Sequence, residues 1–224
     1  MEHFGERPEP GGWYSPDDWH RISFVLSCME PGGNVLDVGV GAGQFLNALA
    51  MSGRFTGVTG LDKTRFKKYR EFAEGICQMN GSVADLPFED DSFDVVTCME
   101  VLEHLPEEIY QTGLAELRRV CRGQLLMTVP YCEPKPIYVG HRRRYEDIDI
   151  VRTFPDGVRT ILKRPGMSWM LVEERFDNRP ALTAKLRAHG TARTQSRFDT
   201  PVRSSSFGAT LQAVPRRIKR LLRL

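Results

Sequence analysis

The sequence predicts an α/β protein with a mostly parallel, doubly wound sheet and helices on both faces. Three observations support this fold class. Short apolar runs alternate with helical patterns along residues 16–176, and the run at 35–38 leads through a glycine-rich turn into a helical pattern at 43–52. The length of 224 residues suits one domain with a sizeable core. A hydrophobic content of 41% and a charged content of 27% are ordinary for a globular protein.

The elements follow one another in a regular order. The first is a helix with Ser15 as N-cap and Pro16 at its first position, and Pro31 stops it. Apolar runs of strand length occupy residues 35–38, 56–61, about 76–84, 93–98, 124–129 and 169–176. Helical patterns occupy residues 43–52, 64–76, 106–121 and 147–154. Residues 207–214 form a candidate last edge strand.

Charge divides the chain into two regions. From Lys185 onward there are ten lysine or arginine residues and one acidic residue, whereas the first 184 residues carry 21 basic and 28 acidic side chains. We therefore predict a domain over residues 1–180 and a basic extension over residues 181–224. As a helix, residues 214–224 would be short, amphipathic and basic, which suits weak contact with an anionic membrane surface. A frayed tail or a helix docked on the domain is the alternative.

Cysteine usage and hydropathy predict the compartment. The five cysteines are scattered without a C-x-x-C pair, which indicates reduced thiols. No apolar run approaches the roughly 20 residues that span a bilayer, and the N-terminus shows no signal-peptide pattern. We expect a cytoplasmic protein, with any membrane contact peripheral, at the inner face and through the basic tail.

The glycine-rich turn is the most informative motif. Asp37 ends an apolar run, and Gly39, Gly41 and Gly43 follow it at alternate positions. The spacing is G-x-G-x-G, which differs from the G-x-G-x-x-G of dinucleotide sites, and the Gly-Lys-Ser/Thr ending of phosphate-binding loops is absent. The motif resembles the first motif of class I S-adenosylmethionine-dependent methyltransferases. That resemblance implies a Rossmann-like fold and a loop whose backbone contacts the methionine part of the cofactor.

Further candidate cofactor residues stand at the ends of the next strands, where open α/β sheets bind ligands. Asp62 is placed to accept hydrogen bonds from both ribose hydroxyls. By resemblance, Asp85 lies near the exocyclic amine of adenine, Leu86 lies against the ring, and Met99 and Glu100 lie beside the sulfonium. Each acidic residue also has a structural alternative, as a loop hydrogen-bond acceptor, a helix N-cap or a turn former.

The segment after the fourth strand is the first candidate for acceptor chemistry. If residues 100–104 are helical, Glu100, Glu103 and His104 share one face and could hold a divalent cation. The stretch resembles ubiquinone-biosynthesis O-methyltransferases, in which this element is associated with magnesium dependence. The alternatives are His104 as a direct general base and His104 in a structural role.

A loop at residues 130–145 is the second candidate. It carries a G-H-x-x-x-[FY] element that in relatives covers the acceptor, so His141 is a second candidate base. Residues 142–144 are three consecutive arginines that could bind an anionic acceptor. A solvated histidine and a solvated charge run are the alternatives.

Together the motifs predict an S-adenosylmethionine-dependent methyltransferase that methylates a hydroxyl of a small-molecule, glycan or quinone-type acceptor, with Mg²⁺ as a second candidate cofactor. The alternative from another class is a non-catalytic cofactor-fold module that docks a partner or a membrane. A nucleic-acid methyltransferase is disfavoured, because no N/D-P-P-Y/F motif follows the fourth strand and no aromatic residues interleave with the basic tail. A nucleic-acid or protein methyltransferase is thus a lesser alternative.

Overall fold

The computed structural model describes residues 16–64, 73–163, 168–176 and 202–203. Its helices are α1 (Pro16–Cys28), α2 (Gln44–Ser52), α3 (Glu107–Arg119) and α4 (Asp147–Thr153), with a 3-10 turn at Leu102–His104. Its strands are β1 (Asn34–Val38), β2 (Gly57–Asp62), β3 (Ile76–Asn80), β4 (Phe93–Met99), β5 (Cys121–Tyr131), β6 (Val158–Leu162), β7 (Ser168–Arg175) and β8 (Val202–Arg203).

All eight strands form one sheet in the order β3-β2-β1-β4-β5-β7-β6-β8. The pairs from β3 to β5 are parallel, whereas β7 runs antiparallel to both β5 and β6. The predicted fold class, a mostly parallel doubly wound sheet, is confirmed.

Side chains of the central strands alternate between two cores. Leu36 and Val96 point to one face and pack with Leu114 of α3, whereas Val35 and Val95 point to the other face and pack with residues of α1 and α2. This period of two follows from the pleat of a strand, and it explains why strands covered on both faces appear in the sequence as nearly unbroken apolar runs. Helices therefore cover both faces of the sheet, as predicted.

Strand β6 is not among the strands that the sequence predicts. Only three of its five residues are buried, and arginine and threonine interrupt its apolar residues. It is held by antiparallel pairing with the next strand, β7, and its own residues carry no clear apolar pattern. The predicted helix at 64–76, the edge strand at 207–214 and the tail helix at 214–224 lie largely or wholly outside the described residues. Within the described segments, no helix has the length and apolar character that crossing a bilayer requires.

Candidate functional site

A cavity of about 720 Å³ opens at the carboxyl ends of β1, β2 and β4. The chain proceeds from β1 to β2 on one side and from β4 to β5 on the other, so this is the point where the strand order reverses and where open α/β sheets bind ligands. The described residues that line the cavity come from the glycine loop, the ends of β2 and β3, the segment after β4 and the loop after β5.

The glycine loop forms one wall of the cavity. Gly39, Gly41 and Gly43 have φ values of 84°, 53° and 82°, which favour glycine. A Cβ atom at Gly39 would lie 2.2 Å from Cγ2 of Val101, so the loop and the segment after β4 approach each other too closely for any side chain. Gly39 and Gly41 line the cavity, whereas Gly43 lies behind them as the residue before α2.

Asp62 connects the end of β2 to this loop. Its Oδ2 atom accepts a hydrogen bond from the Gly41 N–H at 2.8 Å, and its Oδ1 atom accepts one from the Thr64 N–H at 2.8 Å. Burial raises the pKa of Asp62, and these two hydrogen bonds oppose that rise. The side chain lines the cavity, so it is placed both to hold the loop and to meet a ligand.

Asp37 and Met99 do not belong to the cavity's described lining. Asp37 is 2% exposed and lies beneath the glycine loop, where its Oδ1 atom accepts a hydrogen bond from the Thr97 hydroxyl at 2.8 Å. Burial raises the pKa of Asp37 to about 7. Met99, predicted to lie beside the sulfonium, instead packs against the core on the α1 and α2 side, because side chains alternate along β4. The residue that reaches the cavity is Glu100.

Asp85 and Leu86, the predicted adenine contacts, lie outside the described cavity lining. The chain reverses after β3, with the Asp85 N–H donating to the Ser82 carbonyl at 3.1 Å. This turn leaves Asp85 exposed and Leu86 buried in the core, while Ser82 and Val83 line the cavity. Hydropathy predicts a strand that continues to residue 84, whereas β3 ends at Asn80, so the end of the strand falls earlier in the chain than predicted.

The predicted cation set of Glu100, Glu103 and His104 is not brought together. Glu100 has a φ of 55° and precedes the 3-10 turn, so the three residues do not share a helical face. Its carboxylate lies 3.1 Å from Nη1 of Arg21 on α1, and this arginine stacks over the Trp169 ring at 5.2 Å. The ion pair holds the Glu100 carboxylate against α1, and Glu100 is not part of the group of possible metal ligands that converges.

A different set does converge. Ligand atoms of Glu103, His104 and His141 all lie within 4.8 Å of one another. Glu103 is 1% exposed, and neither of its carboxylate oxygens has a hydrogen-bond partner among the described residues. Burial is the main cause that raises the pKa of Glu103 to about 8. Among the described residues, no other group of three or more histidine, cysteine or acidic side chains is close enough to hold a metal ion.

Hydrogen bonds fix both imidazole rings. Nδ1 of His104 lies 2.9 Å from the Gly140 carbonyl, and Nδ1 of His141 lies 2.7 Å from Oε2 of Glu133. Because a carbonyl and a carboxylate only accept, each Nδ1 carries the proton and each Nε2 is the basic atom of the neutral ring. Burial lowers the pKa of His104, which favours its neutral form. The two rings pack edge to face, with centroids 4.8 Å apart.

Residues 36–126 match the family model described as a methyltransferase domain. The chain is 33% identical over 132 residues to an uncharacterized methyltransferase, YcgJ, of Bacillus subtilis, covering 53% of this chain and 50% of that protein. It is 40% identical over 95 residues to the ubiquinone biosynthesis O-methyltransferase of Xanthomonas campestris, covering 40% of each chain. Residues 36–126 are therefore similar in sequence to class I methyltransferase domains. The resemblance to that S-adenosylmethionine-dependent family is confirmed.

Solved structures share the fold of this domain. The YcgJ structure aligns with a TM-score of 0.55 at 18% identity, covering 70% of this chain and 98% of that chain. A Burkholderia thailandensis 1,6-didemethyltoxoflavin-N1-methyltransferase, solved with bound 1,6-didemethyltoxoflavin and S-adenosylhomocysteine, aligns with a TM-score of 0.56 at 18% identity, covering 69% of this chain and 76% of that chain. The chain spans 30 to 57% of the length of the first five curated relatives that it matches.

Several residues of the cavity region escape sequence reasoning. Arg21 and Glu133 reach the site from α1 and from the loop after β5, and neither stands at a motif position. Contacts between residues far apart in the sequence place them, so no local spacing predicts them. Ser82 and Val83 could be found by the rule that ligands meet the carboxyl ends of strands, once the end of β3 is known.

Proposed function

We propose that this chain is an S-adenosylmethionine-dependent methyltransferase that methylates a hydroxyl group of a small-molecule, glycan or quinone-type acceptor. One observation carries the proposal: a single cavity has the glycine loop and Asp62 at one end and two oriented imidazoles at the other. The first end suits the methyl donor, and the second suits removal of a proton from the acceptor.

The cofactor end has a group for each part of S-adenosylmethionine. The Asp62 carboxylate has the chemistry to accept hydrogen bonds from the ribose hydroxyls, since only one N–H occupies each of its oxygens. The bare backbone at Gly39 and Gly41 allows close approach of the methionine part. Ser82 and Val83 replace Asp85 and Leu86 as the proposed adenine contacts, because they line the cavity.

Methyl transfer forms a bond between the acceptor oxygen and the methyl carbon and breaks the bond between that carbon and the sulfonium sulfur, which leaves with the electron pair as a thioether. Alignment of oxygen, carbon and sulfur supplies much of the catalysis. The proton of the hydroxyl goes to an imidazole Nε2 atom, and we assign this base role to His141 with His104 beside it. Glu133 holds the His141 tautomer that leaves Nε2 basic and stabilises the imidazolium that forms.

A cation is the second candidate for activating the hydroxyl, because a carboxylate and two imidazoles converge within 4.8 Å. Glu103, His104 and His141 would hold it, in place of the set that includes Glu100. Two imidazoles and one carboxylate suit a transition-metal ion better than Mg²⁺, which prefers oxygen ligands. A bound cation would acidify the acceptor hydroxyl. Dialysis against Mn²⁺, Zn²⁺ or Mg²⁺ followed by elemental analysis tests it: metal retained by the native protein and lost in Glu103→Gln supports this candidate.

Calorimetric titration with S-adenosylhomocysteine tests the proposed function first. We expect saturable binding with one site per chain, followed by transfer of a radiolabelled methyl group from S-adenosylmethionine to hydroxylated acceptors. Absence of binding would favour the non-catalytic alternative, a cofactor-fold module that docks a partner or a membrane. Binding together with transfer only to nitrogen or carbon would overturn the O-methylation part alone.

A further inference from the structure

The three consecutive arginines after His141 have different environments. Arg143 donates from Nη1 to the carbonyls of Leu102 at 2.9 Å and Leu105 at 3.0 Å, and its guanidinium lies 3.6 Å from the centroid of the Tyr110 ring. Arg143 therefore joins the loop after β5 to the 3-10 turn, and its guanidinium has a structural role.

The Arg144 side chain also has structural contacts. Its Nε donates to the Glu133 carbonyl at 2.6 Å, and its Nη1 pairs with the Glu146 carboxylate. A solvated charge run, the alternative for these arginines, does not describe either residue. Both are structural.

Arg142 differs from both neighbours. Its backbone N–H donates to the Glu103 carbonyl at 2.7 Å, which fixes its main chain beside the imidazole cluster. Its side chain is exposed and lines the cavity, and it makes no hydrogen bond or ion pair with any residue that the structure describes. A guanidinium so placed is available to a ligand.

The other charged residues of the described cavity lining have different places. Asp62 and Lys63 stand at the end of β2, on the cofactor side, and Glu100 is paired with Arg21. Hence, within the described lining, Arg142 is the cation that stands next to the imidazoles. Apolar side chains of Leu105, Pro106, Ile109 and Val139 line the cavity too.

We propose that the acceptor is a hydroxylated carboxylic acid with an apolar body, and that Arg142 binds its carboxylate. This inference rests on the proposed function and narrows its acceptor class. The guanidinium offers a planar pair of N–H donors that matches a carboxylate, the apolar side chains pack the body, and the hydroxyl faces the imidazoles. Arg142 is thus the specificity-determining residue of the acceptor site, and it takes no part in moving the proton.

Two probes that differ in one group test this assignment: 3,4-dihydroxybenzoate and 3,4-dihydroxybenzyl alcohol. Each is titrated by calorimetry into the full chain saturated with S-adenosylhomocysteine. We expect the acid to bind about tenfold or more tightly than the alcohol, as one charge-assisted hydrogen-bonded pair allows. In Arg142→Gln this preference disappears, and Arg142→Lys keeps part of it because the charge remains without the fork. Arg152→Gln removes an exposed arginine of α4 outside the cavity lining and keeps the full preference.

Equal affinities for the two probes, no binding of the acid, or an unchanged preference in Arg142→Gln would each overturn the inference. Binding of S-adenosylhomocysteine separates this failure from failure of the proposed function. If the cofactor product binds and the acid is not preferred, only the acceptor class is wrong. If the cofactor product itself does not bind, the proposed function fails and the acceptor class falls with it.

Discussion

The Glu133 carboxylate accepts a hydrogen bond from Nδ1 of His141 at 2.7 Å, within a loop whose two ends are joined by pairing of Tyr131 with Tyr145. Glu133 is 6% exposed, and its second oxygen accepts the Tyr138 N–H at 3.0 Å. The carboxylate therefore fixes both the ring of His141 and the loop around it. A carboxylate and an imidazole in this relation form the orienting half of a general-base pair.

Glu133→Gln should lower kcat by about 10- to 100-fold, because the amide no longer favours the correct tautomer or stabilises the imidazolium. Affinity for S-adenosylhomocysteine should stay within about twofold, since Glu133 does not line the described cavity. A kcat lowered only in proportion to lost folded protein would reduce Glu133 to a structural role. Glu133→Asp should restore part of the activity.

Asp62→Ala should lower affinity for S-adenosylhomocysteine by about 100-fold or more, because it removes the proposed ribose acceptor and the support of the Gly41 N–H at once. Asp85→Ala is the matched control and should bind normally, since Asp85 is exposed and lies outside the described lining. Calorimetry on the three proteins decides between the strand-end assignment and the alternative that both acids serve only turns. A loss of affinity in Asp85→Ala would instead support Asp85 as an adenine contact.

Asp37→Asn should change how stability depends on pH. Burial raises the pKa of Asp37 to about 7 from its ordinary value of 3.8, so the folded chain holds a proton that the unfolded chain releases. The wild-type chain therefore loses stability as pH rises from about 4 to about 7, whereas the amide has no proton to lose. Melting temperatures are measured at pH 5, 6, 7 and 8. The melting temperature of the variant should rise relative to that of the wild type up to about pH 7, and the difference between them should then stay constant. If the melting temperatures of the two proteins changed with pH in parallel, burial would not be the dominant effect on the pKa of Asp37.

Gly39→Ala should lower both stability and cofactor affinity. The new methyl group would lie 2.2 Å from Cγ2 of Val101, and a left-handed backbone costs an alanine about 1–2 kcal/mol. Gly53→Ala is the control: its φ of 64° imposes the same backbone cost, but no atom lies within 4 Å of the added Cβ. The difference between the two variants therefore measures the clash with Val101. We expect Gly39→Ala to unfold at a lower temperature than Gly53→Ala, and Val101→Ala in the same chain to recover part of the difference. Equal melting temperatures for the two single variants would show that the loop can shift without cost.

Local sequence features predict much of the sheet and part of the cofactor wall. Val35, Leu36 and Val38 are apolar on both faces of β1, and glycine recurs where φ is positive, so strand, turn and helix all follow from short-range rules. Asp62 is found the same way, because it closes the apolar run that forms β2. Asp85 falls outside the described cavity lining because a turn after β3, closed by a hydrogen bond to Ser82, puts the strand end earlier than hydropathy suggests.

The sequence by itself determines the fold class, the glycine loop and the likeness to methyltransferases, because these rest on residues within a few positions of one another. Only the tertiary structure decides the chemistry at the acceptor end. Glu100 leaves the predicted cation set because α1 brings Arg21 to it, and His141 joins Glu103 and His104 because the loop after β5 folds back over β4. Those contacts join residues 37 to 79 positions apart, at distances set by packing, and no spacing along the chain encodes them.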